Sequence, residues 1–179
     1  MKRRVEDWVK IEKGLKFGKK DKRTFCSDTV DATILLGDSN FRIHGCSLPM
    51  IRKLVELKAY DVLVKNDEFK IYKIGEKLGP VPYLESKINF MPTYRLKKGT
   101  LLYDSKRIPS YTDRVFYKSK EDLAAINEYG CLTGSLVSDH LPVFANINIQ
   151  LKSEYEQNAP KKMISKIGIS NKSAVCHII

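Results

Sequence analysis

The sequence predicts one α/β domain followed by a polar tail, and three patterns carry that prediction. Apolar residues recur at helical spacing over 3–16, a short apolar run of β-forming residues occupies 33–36, and apolar and polar residues alternate over 142–151. Helical spacing indicates an amphipathic helix, whereas alternation indicates a strand with one buried face. We therefore expect a mixed α/β domain over 1–151 and a basic, flexible tail over 152–179.

Three helices are predicted, all in the first half of the chain. The first covers 3–16 and is followed by a basic loop. Ser47 can cap the second, which runs to Leu57 and tolerates Pro49 in its first turn. The third covers 59–78, where apolar residues again recur at helical spacing.

Strands are predicted at 33–36, 87–90, 112–117 and 142–151. The first is expected to be buried and to end at Gly37, which opens a loop. The polar motifs of the chain lie where these strands begin or end. Function is therefore expected at the edge of a sheet.

The charge of the chain is concentrated at its two ends. The net charge is +11, with ten basic and four acidic residues over 1–24 and five basic and two acidic residues over 152–179. The body between them is nearly neutral, whereas a duplex-binding domain carries its positive charge on the folded body. We expect no nucleic-acid partner.

Cysteine spacing and hydropathy narrow the classes of protein to which the chain can belong. The four cysteines include no C-x-x-C pair, which argues against a zinc site or a disulfide framework. The basic start lacks the apolar run of a signal peptide, and no stretch reaches the length of a membrane span. The expected location is cytoplasmic.

The first polar motif is GDSNFRI, residues 37–43, directly after the first strand. Asp38 and Asn40 are two apart, so extended backbone would direct both side chains to one side of the sheet edge. An ordinary turn is the alternative, since Gly, Asp, Ser and Asn all favour turns.

Two further motifs crowd basic and aromatic residues into Pro-stiffened loops, and a third pairs Asp with His. MPTYR covers 91–95 and KRIPSYTDRVFY covers 106–117. Such loops can hold an anion, because arginine offers a fork of donors to phosphate, and a solvated loop is the alternative. SDHLPVFA covers 138–145 at the mouth of the last strand, where a surface Asp-His pair is the alternative.

The order of these motifs resembles the second half of the inositol polyphosphate 5-phosphatases, which belong to the deoxyribonuclease I-like phosphoesterases. The similarity runs from about Arg3 to Gln150. It implies the C-terminal half of a four-layer α/β/β/α sandwich, with the N-terminal half missing. The D-x-N and S-D-H motifs are shared with nucleases, whereas P-T-Y and R-x-P-x-x-x-D-R single out the 5-phosphatases.

The resemblance implies a Mg²⁺-dependent phosphatase that removes the 5-phosphate of a phosphoinositide or a soluble inositol polyphosphate. By position, Asp38 would orient and deprotonate the attacking water and Asn40 would donate to the phosphoryl oxygens. His140 would contact the scissile phosphate, Asp113 would orient that imidazole, and Asp139 would serve the metal. The implied substrate-binding residues are Tyr94, Arg95, Lys106 and Arg107.

Some expected parts of the family pattern differ or are unmatched. Arg95 stands where the family has lysine, and Ser105 takes the family's other lysine position, leaving Lys106 adjacent. The family's metal-binding asparagine, its Gln-Glu glutamate and its N-S-H-L histidine have no match, because neither Gln150 nor Gln157 precedes a glutamate. A catalytically inactive remnant that binds phosphoinositide or acidic membrane is therefore the second interpretation.

The tail ends in Cys176-His-Ile-Ile, which has the position of a prenylation box, with a plain disordered end as the alternative. Upstream lysines would add an electrostatic membrane signal, and these are Lys161, Lys162, Lys166 and Lys172. A prenylated C-terminus would place the protein at a peripheral membrane surface.

Overall fold

The computed structural model describes residues 2–17, 25–150 and 174–178. Its helices are α1 Lys2–Gly14, α2 Leu48–Glu56, α3 Tyr60–Lys65, α4 Glu68–Ile71 and α5 Ile74–Lys77. Its strands are β1 Lys16–Phe17, β2 Phe25–Cys26, β3 Ala32–Asp38, β4 Asp113–Ser119, β5 Ala124–Cys131, β6 Val143–Ile149 and β7 Ala174–Ile178. No helix among these residues is long and apolar enough to cross a bilayer.

The strands form three antiparallel sheets, in which β1 pairs with β2, β3 pairs with β4, and β6 pairs with both β5 and β7. Neighbouring residues of β4 show how the layers stack. Val115 packs with Ala145 and Ile147 of β6, so this face of the β3-β4 sheet packs against the three-stranded sheet. Phe116 faces the other way, into a cluster covered by Trp8 of α1. The described layers are therefore helices, sheet and sheet.

The second helix forms as the local sequence predicts. The Ser47 hydroxyl accepts from the Met50 N–H at 3.4 Å, and Pro49 lies in the first turn. Ile51 is fully buried beside Leu63 of α3. Burial of such a side chain contributes about 1.5–3 kcal/mol, so Ile51→Ala would be the simplest way to loosen this helix.

The single helix predicted over 59–78 is wrong, since three short helices occupy this segment. The Asp67 carboxylate accepts from the Phe69 N–H at 3.0 Å and thereby starts α4. Lys73 has a φ of 47°, in the left-handed region, which separates α4 from α5. Capping and a left-handed residue therefore divide a helix that apolar spacing alone predicts as continuous.

The predicted strands are only partly correct. Residues 112–117 overlap β4, which continues to Ser119, and residues 142–151 contain β6, but residues 87–90 form no strand. Ile88 and Phe90 are buried there because they pack in an apolar cluster with Tyr111. The strand at 33–36 forms, but Leu36 at its end is 47% exposed rather than buried. It belongs to none of the four core clusters among the described residues.

Part of the predicted tail, Ala174–Ile178, lies as a strand beside β6. The backbone of Cys176 is paired with Ile147 there. The four upstream lysines of the tail lie outside the described residues, as does the whole of 152–173. The division into a domain and a tail stays a prediction.

Candidate active site

Three polar side chains from three chain segments meet at one edge of the β3-β4 sheet. Asp38 ends β3 and is paired in register with Asp113, which begins β4. His140 lies in the loop that leads into β6. One carboxylate oxygen of each aspartate and one imidazole nitrogen of His140 lie within 4.8 Å of one another. Antiparallel pairing thus brings together two motifs that are far apart in the sequence.

Asp113 holds the imidazole of His140. Its carboxylate lies 3.0 Å (Oδ2) and 3.2 Å (Oδ1) from His140 Nδ1. The hydroxyls of Thr93 and Thr112 donate to the same Oδ2 at 2.9 and 2.8 Å. With Nδ1 engaged, Nε2 is the ring nitrogen left for a ligand. The pair that the resemblance implies is therefore assembled, and its catalytic role stays a prediction.

Asp38 and Asn40 meet through a turn and not through extended backbone. Asn40 has a φ of 56°, so the expected alternation of side chains does not apply here. Its N–H instead donates to Asp38 Oδ1 at 2.8 Å, which is the bond of an Asx-turn. The side-chain oxygen of Asn40 accepts from the Arg42 guanidinium. The turn interpretation and the site interpretation are both compatible with this geometry.

Next to this cluster lies an open cavity of about 450 Å³ with a basic wall. Its lining residues are Arg4, Arg42, Ile43, Tyr94, Arg107, Ile108 and Ser110. The Tyr94 ring lies 4.6 Å from the His140 ring, and the Arg42 guanidinium lies 4.8 Å from the Tyr94 ring centre. The cavity is therefore suited to an anion held close to the imidazole.

The predicted substrate residues divide into two groups. Tyr94 and Arg107 line the cavity, whereas Arg95 and Lys106 do not. Arg95 Nε lies 3.2 Å from an Asp104 oxygen and 3.4 Å from an Asp139 oxygen. Opposite charges attract the guanidinium to these carboxylates, and Arg95 is not among the residues that line the cavity.

Arg4 and Arg42 are cavity residues that the motifs did not assign, and both depend on Glu68. The Glu68 side chain is 1% exposed and accepts from Arg4 Nε at 3.1 Å, and its second oxygen lies 2.8 Å from His44 Nε2. The Arg42 N–H also donates to Glu68, at 3.0 Å. Burial opposes ionisation of Glu68, but the hydrogen bonds from Arg4 and His44 and the charge of Arg4 hold its pKa below the ordinary value.

The oxygen ligands in the described residues are too few for Mg²⁺ by themselves. Mg²⁺ requires six near-octahedral ligands, mainly oxygen. The Oδ2 atom of Asp113 is already bonded by Thr93 and Thr112 and approached by His140, and Asp139 faces Arg95. Asp38 is the one carboxylate of the cluster that is exposed and has no cationic partner among the described residues. The described residues alone do not fit a Mg²⁺ ion.

Comparisons with known proteins agree on the type of domain. The model of Endonuclease/Exonuclease/phosphatase family 2 matches residues 1–146. A phosphatidylinositol 4,5-bisphosphate 5-phosphatase of Saccharomyces cerevisiae is 34% identical over 152 residues, covering 81% of this chain and 15% of that protein. A phosphatidylinositol 3,4,5-trisphosphate 5-phosphatase 2A of Danio rerio is 26% identical, covering 98% of this chain and 14% of that protein.

Two solved structures share the fold. The inositol polyphosphate 5-phosphatase domain of SPsynaptojanin, in complex with inositol (1,4)-bisphosphate and calcium ion, has a TM-score of 0.70 at 22% identity. It covers 99% of this chain, which spans 44% of that domain. A Cimex nitrophorin in a ferrous NO complex has a TM-score of 0.62 at 31% identity, covering 74% of this chain and 45% of its own.

The layered sheets, with polar residues at their strand ends, define a deoxyribonuclease I-like α/β domain, of which the chain contains part. Within that class, the chain belongs to the endonuclease/exonuclease/phosphatase family 2. Its relatives include inositol polyphosphate and phosphoinositide 5-phosphatases. The chain spans much less than half the length of these relatives.

Proposed function

We propose that the chain carries the substrate-facing part of a phosphatase site that removes the 5-phosphate of an inositol polyphosphate or a phosphoinositide. The observation that carries this proposal is the Asp113-His140 pair beside Asp38 at the edge of an arginine-lined cavity. The names of the curated relatives support the same reaction class. The proposed enzyme class is a phosphoric monoester hydrolase.

The cavity supplies the binding part of the proposal. Arg42 and Arg107 are both in its lining, with Tyr94 between the cavity and His140. Guanidinium groups bind phosphate oxygens through paired hydrogen bonds, so a second phosphate on the inositol ring would be held there. Holding that neighbouring phosphate would bring the 5-phosphate towards His140 and Asp38.

The proposed reaction is hydrolysis of one phosphate ester bond. A water oxygen attacks phosphorus and loses a proton to Asp38, while His140 and Asn40 donate to the phosphoryl oxygens. The bond between phosphorus and the ring oxygen breaks with its electron pair on that oxygen, which takes up a proton from the solvent. Inorganic phosphate and a ring hydroxyl are the products.

Mg²⁺ is proposed as the cofactor of a complete site in which ligands beyond the described residues take part. The calcium ion named with the solved SPsynaptojanin domain supports a divalent cation. The proposed contribution of this chain on the metal side is Asp139, whose carboxylate would have to separate from Arg95 to reach a metal ion. For the isolated chain we expect weak binding in a calorimetric Mg²⁺ titration.

A second candidate function is binding of phosphoinositide or acidic membrane without catalysis. The small set of free oxygen ligands favours it, as does the similarity to a nitrophorin, which supports the view that this fold serves other chemistry. The arginine-lined cavity would still bind the phosphate groups. Binding and turnover therefore have to be measured separately.

The test uses the purified full chain, a 4,5-bisphosphorylated phosphoinositide and Mg²⁺. Phosphate release above the Asp38→Ala variant is expected if the catalytic proposal is correct. Binding of the same ligand without release in either protein would support the second candidate. Absence of both binding and release would contradict both proposals.

Two further proposals are that a prenyl group is attached at Cys176 and that the protein is cytoplasmic and associated with a membrane. Cys176 lies in β7, whose backbone is paired with β6, so this pairing has to open before a transferase can bind the last residues. Mass spectrometry of the chain from eukaryotic cells would detect a prenyl group that the Cys176→Ser variant lacks. Unmodified Cys176 in both would contradict the proposal.

A further inference from the structure

We propose that a hairpin next to the active site docks onto an anionic lipid bilayer. The hairpin spans residues 96–103, and a neighbouring loop at 132–138 completes the surface. We call this surface the docking face and define it by Lys97, Lys98, Leu101, Leu102 and Val137. None of these five residues lines the cavity or belongs to residues 152–179.

Backbone hydrogen bonds hold the hairpin in shape. Leu96 is bridged to Tyr103, and the Lys97 N–H donates to the Leu102 carbonyl at 2.8 Å. The Thr100 N–H donates to the Lys97 carbonyl at 3.0 Å, and Gly99 has a φ of 79° that suits the turn. Leu96 and Tyr103 are buried at its base. The buried base therefore anchors the hairpin and holds its tip at the surface.

Large apolar side chains project from this tip. Leu101 is 44% exposed and Leu102 is 63% exposed. The Gly99 N–H donates to the Leu136 carbonyl at 2.8 Å, which joins the hairpin to the neighbouring loop, where Val137 is 86% exposed. Three exposed apolar residues on two joined loops suit shallow insertion between lipid headgroups.

The charges around these apolar residues are positive and unpaired. Lys97, Lys98, Lys106 and Arg107 are exposed, and in the described part of the chain none of them forms an ion pair. The nearby carboxylates of Asp104 and Asp139 both face Arg95 instead. Apolar tips with basic residues beside them match an anionic membrane, because headgroup phosphates and serine carboxylates attract the cations.

The docking face is connected directly to the candidate active site. The Leu96 N–H donates to the Asp139 carbonyl at 2.9 Å, and Tyr94 is bridged to His140. A bilayer at the hairpin tip would thus lie next to the cavity, which would favour a lipid substrate over a soluble one. Membrane binding requires no turnover, so this proposal can succeed or fail independently of the proposed catalysis.

The test measures sedimentation of the full 179-residue chain, produced without prenylation, with vesicles of equal parts phosphatidylcholine and phosphatidylserine. Leu102→Ser is expected to weaken binding about tenfold, because it removes one inserted apolar side chain. Lys98→Ala is expected to weaken it about fivefold. Vesicles of pure phosphatidylcholine should bind the parent chain less tightly.

Matched controls come from other surfaces. Leu57 is also 63% exposed, so Leu57→Ser should leave binding unchanged, as should Lys77→Ala on α5. Leu102→Trp should give a blue shift of emission with the mixed vesicles, whereas Leu57→Trp should not. If Leu102→Ser and Lys98→Ala bind as tightly as their controls, membrane binding resides elsewhere, such as in the basic ends, and the proposal is overturned.

Discussion

Asp113 and Arg114 are neighbours on β4, yet their side chains enter two polar clusters of different character. The Asp113 side chain is 22% exposed and joins His140 at the sheet edge. The Arg114 side chain is fully buried, with Asp67 and Glu85, which are also fully buried. Alternation along a strand separates them, because successive side chains point to opposite faces.

Direct contacts join the members of the buried cluster. Arg114 donates to both oxygens of Glu85 at 2.5 Å and to Asp67 at 2.9 Å, and the Tyr129 hydroxyl donates to Glu85 at 3.1 Å. Burial opposes the charged form, but Glu85 and Asp67 outweigh it and raise the pKa of Arg114 above its ordinary range. Such a cluster specifies a geometry rather than adding much net stability.

The cluster at the sheet edge is open on one side. Asp38 is exposed and His140 is partly exposed, while Thr93 and Thr112 support Asp113 from beneath. An accessible imidazole with a fixed orientation can contact a ligand, whereas a closed ion cluster cannot. The comparison indicates that Arg114 supports the fold, whereas its neighbour Asp113 lies in the candidate site.

The largest expected effect follows from opening the buried cluster. Arg114→Met would leave the carboxylates of Asp67 and Glu85 buried without their cation, and the free energy of unfolding should fall by about 3–5 kcal/mol. Urea unfolding followed by circular dichroism measures this. Arg3→Met on α1 is the control, because Arg3 is exposed, and its expected change is within about 0.5 kcal/mol. Equal unfolding midpoints for both variants would refute the structural role of Arg114.

The next effect concerns function and not folding. Asp113→Asn keeps the side-chain volume but removes the carboxylate that faces His140 Nδ1, so phosphate release should fall about a hundredfold or more. Its free energy of unfolding should change by less than about 1 kcal/mol. The hydrogen-bonded Nδ1 proton resonance of His140 should disappear from the NMR spectrum. If that resonance persists unchanged, Asp113 does not orient the imidazole.

The dependence of stability on pH tests the Glu68 network beside the cavity. The pKa of folded Glu68 is lowered, so its contribution is present above the ordinary carboxyl pKa of about 4.3 and is lost as pH falls through the folded pKa. Glu68→Gln should therefore lower the free energy of unfolding by about 1.5–3 kcal/mol at neutral pH, and less in acid.

Unfolding experiments at a series of pH values measure this difference. Glu56→Gln is the control, because its surface pair with Lys53 is 66% and 67% exposed and should contribute almost nothing at any pH. A difference between Glu68→Gln and the parent chain that stays constant into acid would show that ionisation of Glu68 is not its cause.

The smallest effect is expected from Thr93, whose hydroxyl donates to the carboxylate of Asp113. Thr93→Val removes one of two threonine hydroxyls that donate to Asp113, while Thr112 remains. Phosphate release should fall by less than about tenfold, and the free energy of unfolding by about 1 kcal/mol. A loss of phosphate release as large as that of Asp113→Asn would mean that the two threonines do not share the support of the carboxylate.

Local signals predicted the parts of the fold that depend on neighbours in the chain. Ser47 and Pro49 were enough to predict the start of α2. The helical spacing of apolar residues was enough to predict α1. Strand β5 was missed because a register shift between Ile126 and Glu128 interrupts its alternation. The division of residues 59–78 was missed because Asp67 caps one helix and pairs with Arg114, 47 residues away.

The candidate site was predictable in its chemistry and less so in its geometry. The motifs identified Asp38, Asp113 and His140, which the structure brings together. They assigned Arg95 to the substrate, whereas the structure directs it to two carboxylates. No short motif identified Arg4 or Arg42 as lining residues, since a cavity wall depends on which segments fold against each other.

The sequence by itself therefore determined the α/β class, the order of the motifs and the types of side chain available for phosphate chemistry. The tertiary structure decided which of those side chains face one another: His140 is oriented by Asp113, Arg42 lies over Tyr94, and Arg114 is enclosed beside its two carboxylates. The physical reason is the distance along the chain over which each interaction acts. Caps and periodicity act within a few residues, whereas register and ion pairing join residues that are distant along the chain.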